Sequence, residues 1–184
     1  MSVVEILAII DKSGSMGGLR EEVVGSLNGF IEAQQQLPGH ANLTVVMYDD
    51  RYEVPLDSAP LKDVKPFTLE DYVPRGMTAT YDAVGKALSQ LEERNPEKAI
   101  IMINTDGGEN ASREYTQSGV AAKVKAAEDR GWEVVFLAQN IDAHAASTAL
   151  GMTRGFAKGM SDGAEGIHEG FATMHLCASS YRSA

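Results

Sequence analysis

The sequence predicts a three-layer α/β fold in which a mostly parallel β-sheet is covered by helices on both faces. Segments with strand-like and helix-like patterns alternate from one end of the chain to the other, which is typical of this fold class. Three strand-like segments are almost continuously apolar and rich in branched residues, as expected for strands buried on both faces. No repeat or change in composition divides the 184 residues, so we expect a single domain over 1–184.

The first part of the chain predicts three strands and one helix. Residues 3–10 form an apolar run typical of a buried strand, and apolar residues recur at helical spacing over 19–34 before Pro38 and Gly39 end the helix. Two short strands at 43–48 and 52–55 flank Asp49 and Asp50. The short turn between them predicts an antiparallel hairpin.

The rest of the chain begins with an irregular stretch at 56–80, since four of the six prolines lie between Pro55 and Pro74. Thr80 is expected to be the N-cap of the helix that follows it. An apolar stripe over Ile167–Tyr181 predicts that the last helix packs on the sheet. The predicted elements are helices at 81–94, 113–130, 142–150 and 162–180, and strands at 99–105, 132–138 and 155–158.

Composition excludes several classes of protein. The formal charge of −10 and the scattered basic residues oppose binding to nucleic acid or to anionic lipid. No apolar run approaches the roughly 20 residues that cross a bilayer, and we expect no signal peptide at the start of the chain. The single cysteine, Cys177, excludes an internal disulfide and a cysteine-based zinc site. We therefore expect a cytoplasmic protein.

Side chains that carry oxygen follow the predicted strands. Asp11, Ser13 and Ser15 alternate after the first strand, so they present their oxygens on one side. Thr78 precedes a helix and Asp106 follows another strand. Oxygen ligands in an octahedron suit Mg²⁺, and five such side chains leave a position open. The alternative is that Ser13 and Ser15 only cap the helix that follows them.

These three segments resemble the metal-ion-dependent adhesion site (MIDAS) of von Willebrand factor type A (vWA) domains. The family pattern is Asp-x-Ser-x-Ser, then a Thr in Gly-x-Thr-x-Thr, then Thr-Asp-Gly at the end of a strand. Residues 11–15, 76–80 and 105–107 match it in that order. Met77 departs from the more usual Gly of the family. The resemblance covers the whole chain and implies a Rossmann-like sheet of six strands with one antiparallel edge strand.

The resemblance also implies a function. Ser13, Ser15 and Thr78 are expected to coordinate a divalent metal directly or nearly so, and Asp11 and Asp106 directly or through water. Mg²⁺ is the expected ion, with Mn²⁺ or Ca²⁺ as alternatives. A Glu or Asp of a partner protein typically completes the metal shell in this family. The protein is therefore expected to be a binding module and not an enzyme, with its oligomeric state left open.

Two other functions compete with this one. The first is a phosphohydrolase or phosphotransferase similar to the haloacid dehalogenases, which also place an Asp after the first strand and another after a later strand. Those enzymes use a second Asp two residues after the first, where this chain has Ser13. They also need a Lys near the metal that we cannot place. The second is a vWA subunit of an assembly that works with a ring-shaped ATPase, which the sequence does not distinguish from a free-standing binder.

Overall fold

A β-sheet of six strands in the order β3-β2-β1-β4-β5-β6 lies at the centre of the computed structural model, which describes residues 2–106 and 108–184. The β2 and β3 strands are antiparallel, and all other neighbours are parallel. The antiparallel strand β3 lies at one edge, as predicted. The strands are β1 (Val4–Asp11), β2 (Ala41–Tyr48), β3 (Tyr52–Pro60), β4 (Lys98–Thr105), β5 (Glu133–Ala138) and β6 (Phe156–Gly159).

Helices cover both faces of this sheet. The helices are α1 (Arg20–Gln35), α2 (Thr80–Arg94), α3 (Gln117–Asp129), α4 (Ala143–Ala149) and α5 (Gly163–Ser183). Helices α1 and α5 pack together on one face, and the other three contribute to the core on the opposite face. The structure therefore confirms the predicted three-layer α/β fold.

Two hydrophobic cores form because successive side chains of a strand point to opposite faces. Ile6 and Ile10 of β1 join the core beneath α1 and α5. Leu7 and Ile9 of the same strand join the core beneath α2 and α3. Every residue of β1 is buried, which explains its continuous apolar sequence. The predicted stripe of α5 also contacts the first core, with its Ile167, Phe171, Met174 and Ala178 buried.

The β3 strand is longer than the sequence predicted. It runs from Tyr52 to Pro60, whereas we expected an irregular chain after residue 55. Ser58 has a positive φ of 45°, its amide donates to the Thr44 hydroxyl at 2.9 Å, and the pairing with β2 has register shifts. An edge strand tolerates prolines and bulges because one of its sides has no ladder to satisfy.

Two helix starts also differ from the prediction. Thr80 is the first residue of α2 and not its N-cap, which is Ala79. The Thr80 hydroxyl instead lies 3.2 Å from the Tyr48 hydroxyl. Helix α3 begins at Gln117, not at residue 113. The Asp82 carboxylate accepts hydrogen bonds from the amides of residues 113–115, and these bonds compete with a helical conformation there.

The described helices include none that combines the length and apolar character needed to cross a membrane.

A Gly166→Ala variant tests how closely α5 approaches the segment before it. A Cβ at Gly166 would overlap the Ser161 carbonyl oxygen, whereas a Cβ at the exposed Gly25 of α1 would meet no atom within 4 Å. We expect Gly166→Ala to lower the free energy of unfolding by about 1–3 kcal/mol. The control Gly25→Ala should raise it by about 0.5–1 kcal/mol. Urea denaturation measures both, and equal stability of the two variants would contradict the close approach.

Candidate metal centre

Asp11 is the last residue of β1 and lies buried at the bottom of the candidate site. Its Oδ1 accepts a hydrogen bond from the Ser13 amide at 2.7 Å. Its Oδ2 accepts from the Thr105 hydroxyl at 2.8 Å and from the Asp106 amide at 3.4 Å. The Tyr72 hydroxyl donates to the Asp11 carbonyl oxygen at 2.6 Å. Groups from three parts of the chain therefore hold Asp11 in one orientation.

Ser13, Ser15 and Asp106 form a continuous chain of oxygens beside Asp11. The Ser13 and Ser15 hydroxyl oxygens are 3.2 Å apart. The Ser15 hydroxyl donates to Asp106 Oδ1 at 3.0 Å. Because β1 and β4 are adjacent parallel strands in register, the residues that follow them emerge at the same edge of the sheet. Ser13 and Asp106 are buried, and Ser15 is exposed.

Thr78 reaches the same edge on the loop before α2. The Gly14 amide donates to the Gly76 carbonyl oxygen at 3.0 Å, so the loop of Thr78 lies against the loop of Ser13 and Ser15. Gly76 has a φ of +68°, a conformation that favours glycine. The Thr78 amide donates to Asn110 Oδ1 at 2.8 Å. No described residue shares a hydrogen bond with the Thr78 hydroxyl, which leaves this oxygen free to bind a ligand.

The electrostatics of the site disfavour the ionised form of Asp106. Burial, followed by the nearby Asp11 charge, raises the pKa of Asp106 from 3.8 to about 6, although the Ser15 hydrogen bond acts in the opposite direction. Burial and the charges of Asp11 and Asp106 also raise the pKa of Tyr72 above its usual range. The Tyr72 hydroxyl therefore stays protonated and remains a donor to the Asp11 carbonyl oxygen.

The donor set fits a small, hard cation. It combines two carboxylates with hydroxyl oxygens, which are ligands suited to Mg²⁺. Neither carboxylate has a Lys, Arg or His within ion-pair distance among residues 2–106 and 108–184. The described part of the chain also contains no group of three or more His, Cys, Asp or Glu side chains arranged to hold a metal. A site here would therefore depend on hydroxyl ligands.

The structure brings four of the five predicted residues into one bonded group, namely Asp11, Ser13, Ser15 and Asp106. The fifth, Thr78, is connected to them through the backbone of its loop. Gly107 of the third motif segment lies outside the described residues. The helix-cap alternative receives no support. Ser13 is the N-cap of the 3₁₀ helix Gly14–Leu19, which precedes α1, but its side chain makes no capping hydrogen bond. The role of the five residues as metal ligands stays a prediction.

The acidic residues of the neighbouring loops have roles that the sequence does not predict. From the sequence, Asp49 and Glu109 are expected to be solvated loop residues, with an acidic rim around the metal as the alternative. Asp49 is instead completely buried. Glu109 binds the amide that begins α2, since its Oε2 accepts from the Tyr81 amide at 3.0 Å. Tyr72 and Asn110 hold Asp11 and Thr78 in place. Their partners are distant in sequence, so no local pattern indicated these roles.

Solved structures share this fold at low sequence identity. The PilB minor pilin of Streptococcus sanguinis superposes with a TM-score of 0.68 at 12% identity over 98% of this chain and 62% of its own. The ArnB paralog VWA2 of Sulfolobus acidocaldarius has a TM-score of 0.65 at 13% identity, over 95% of this chain and 45% of its own. Proximal thread matrix protein 1 of the mussel byssus, with a zinc-occupied MIDAS motif, has a TM-score of 0.66 at 12% identity, over 97% and 46%.

The chain therefore has a vWA-like fold. It spans about half to three fifths of the length of these three structures. No protein-family model matches the sequence, and no curated protein matches it. At 12–13% identity the likeness extends to the fold alone.

The raised pKa of Asp106 predicts a pH-dependent stability of the metal-free protein. The folded state holds the Asp106 proton up to about pH 6, whereas the unfolded chain releases it near pH 4. Stability from this group is therefore present below about pH 4 and is lost as the pH rises through about 6. We expect Asp106→Asn to gain on the order of 2 kcal/mol relative to the wild type between pH 4.5 and 7.5.

Urea denaturation of the wild type and Asp106→Asn without divalent metal, at both pH values, measures this gain. Asp63→Asn, at an exposed position of the 3₁₀ helix Leu61–Asp63, is the control for the loss of a carboxylate. A difference between wild type and Asp106→Asn that does not change with pH would contradict the prediction.

Proposed function

We propose that this chain is a divalent-metal-dependent protein-binding module. In this proposal Asp11, Ser13, Ser15, Thr78 and Asp106 hold the metal at the edge of the sheet where β1 and β4 end. The observation that carries it is the contact chain from Ser13 through Ser15 to Asp106, at 3.2 and 3.0 Å. These oxygens come from segments 91 residues apart in sequence, yet no cationic side chain of the described residues neutralises them.

The metal in the proposal is Mg²⁺, with Mn²⁺ or Ca²⁺ as alternatives. Hydroxyl and carboxylate oxygens around a small site favour Mg²⁺, which prefers octahedral oxygen coordination. Asp11 already accepts three hydrogen bonds, an arrangement that suits a ligand acting through water. One fold neighbour carries zinc in its MIDAS motif, which supports divalent-metal binding in general. When bound, the metal supplies Lewis acidity.

The partner in the proposal is a protein that presents a Glu or Asp. The carboxylates of Asp11 and Asp106 can at most neutralise a divalent ion, and the hydroxyl ligands add no negative charge. The metal therefore attracts an incoming carboxylate at short range. Ser15 is exposed, and the Met77 side chain next to Thr78 is 52% exposed, so both are accessible to a protein surface. The formal charge of −10 repels an acidic partner at long range, and salt screens that repulsion.

Binding is favoured over catalysis because the described site lacks the second Asp and the lysine that the haloacid dehalogenases use. Position 13, where the haloacid dehalogenases have their second Asp, is a serine whose hydroxyl contacts Ser15. Lys12, the lysine nearest in sequence, is directed to Glu53 at 2.6 Å. We propose that the chain acts as a single domain, alone or within an ATPase-linked assembly. A cytoplasmic location stays a prediction from the sequence.

Mg²⁺ should stabilise the folded protein. A ligand that binds only the folded state at a hundredfold excess over its Kd stabilises it by about 2.7 kcal/mol. We therefore expect the Tm to rise in millimolar Mg²⁺ and to fall in EDTA. Asp106→Ala should lose most of this response, whereas Asp63→Ala, the same change at an exposed position of a 3₁₀ helix, should keep it.

Differential scanning fluorimetry with Mg²⁺, Mn²⁺, Ca²⁺ and EDTA measures the response and ranks the ions. Superimposable melting curves in all four conditions would count against a metal site in this protein.

The interaction with a partner should require the metal and the serine hydroxyls. We expect a partner captured in Mg²⁺ to be released by EDTA and to bind at least tenfold more weakly to the Ser13→Ala, Ser15→Ala double variant. Moderate salt should strengthen the interaction or leave it nearly unchanged. Capture followed by titration of the purified partner measures each effect, with Ser118→Ala as an exposed serine control.

Binding that is equally tight in EDTA would reject the metal-bridge mechanism. Phosphatase or nucleotide hydrolysis activity that disappears in Asp11→Asn would instead place the protein in the enzyme class.

A further inference from the structure

Four charged side chains form an ion-pair network next to the candidate metal centre. Lys12 Nζ lies 2.6 Å from Glu53 Oε2, and Arg75 Nη2 lies 3.9 Å from Glu53 Oε1. Arg75 Nε lies 3.3 Å from Asp49 Oδ2. Lys12 belongs to the loop of Ser13 and Ser15, and Arg75 belongs to the loop of Thr78. Asp49 and Glu53 lie in the β2–β3 hairpin region between them.

Asp49 makes this network energetically important. Its side chain is 0% exposed, and Oδ1 accepts from the Arg51 amide at 2.6 Å. Oδ2 has no hydrogen-bond partner among the described residues. A buried carboxylate is costly unless a counter-charge compensates it. The Arg75 guanidinium is the one cationic group within ion-pair distance of Asp49 in the described chain.

The backbone around the network connects the same three segments. The Arg75 amide donates to the Lys12 carbonyl oxygen at 2.9 Å, and the Gly14 amide donates to the Gly76 carbonyl oxygen at 3.0 Å. The Ala79 amide donates to the Asp49 carbonyl oxygen at 2.9 Å. Thr78 therefore lies between two points at which its loop is attached to neighbouring segments.

We infer that Arg75 is a positioning residue for the candidate metal site. By neutralising Asp49 and approaching Glu53, its side chain keeps the loop of Thr78 against the loop of Ser13 and Ser15. Arg75 itself does not touch the metal ligands. The inference rests on the proposed function, because it concerns the affinity of the same site for a divalent cation.

The direction in which metal affinity changes when Arg75 is neutralised distinguishes a positioning role from a purely electrostatic one. Arg75 is a cation near the site and opposes the approach of a second cation by Coulomb repulsion. If Arg75 acted only through its charge, its neutralisation would strengthen metal binding. If Arg75 positions Thr78, its neutralisation weakens metal binding, because the ligand oxygens no longer converge.

The experiment titrates purified full-length protein with Mn²⁺ alone and measures the Kd by calorimetry. Arg75→Gln is compared with Arg51→Gln, which removes the same charge from an exposed side chain with no ion pair in the described chain. We expect Arg75→Gln to raise the Kd at least tenfold and Arg51→Gln to leave it unchanged or lower it. Arg75→Lys, which retains the charge, should recover part of the affinity.

Arg75→Gln leaves Asp49 buried and unpaired, so this variant can unfold. A double variant, Asp49→Asn with Arg75→Gln, avoids this problem because it removes both charges and leaves the net charge unchanged. We expect this double variant to fold, by circular dichroism and its Tm in EDTA, and to bind Mn²⁺ at least tenfold more weakly than the wild type.

The outcomes distinguish the two proposals. A wild-type protein that binds no Mn²⁺ overturns the proposed function. A wild-type protein that binds Mn²⁺, together with a folded Arg75 variant whose Kd is equal or lower, overturns the positioning role and leaves the proposed function intact.

Discussion

Two carboxylates placed at the ends of adjacent parallel strands are the constraint on which the candidate site depends. The in-register pairing of β1 with β4 brings Asp11 and Asp106 to the same edge of the sheet, and mutual repulsion contributes to the raised pKa of Asp106. The protein offsets this cost with neutral donors, since the Ser13 amide and the Thr105 hydroxyl bind Asp11 and the Ser15 hydroxyl binds Asp106. Neutral donors orient the carboxylates while leaving their charge available to a cation.

Next to the candidate site, charged side chains are neutralised by ion pairs and not by neutral donors. Asp49 is as deeply buried as Asp11 but is paired with Arg75, whereas the cationic end of Lys12 is paired with Glu53. The cationic side chains of Lys12 and Arg75 therefore lie beside the candidate ligands but are paired with other carboxylates. This pairing matters because a lysine or arginine bound to Asp11 or Asp106 would occupy the place of a metal. The network also spans the three segments that meet at the site, so the same ion pairs contribute to its shape.

The proposed function uses this edge of the sheet for recognition. The available groups are a hydroxyl-rich ligand set and the exposed side chains of Ser15 and Met77. In the proposed function, a strongly acidic chain attracts no anionic partner from a distance, so selectivity would depend on the bond between the metal and the partner's carboxylate. The vWA-like fold is shared with a pilin and a byssal matrix protein, but a fold by itself does not determine function.

The sequence by itself predicted the fold class and the hairpin of β2 and β3, because apolar periodicity and a short turn are local properties of the chain. It proposed the residues of the candidate site through the Asp-x-Ser-x-Ser spacing and the resemblance to vWA domains. It did not determine the length of β3, the start of α3 or the burial of Asp49, since these depend on side chains distant in sequence. Tyr72 and Arg75 lie in a proline-rich stretch with no periodicity. Only the tertiary structure decided their roles, because a hydrogen bond or ion pair is specified by where the folded chain brings two groups together.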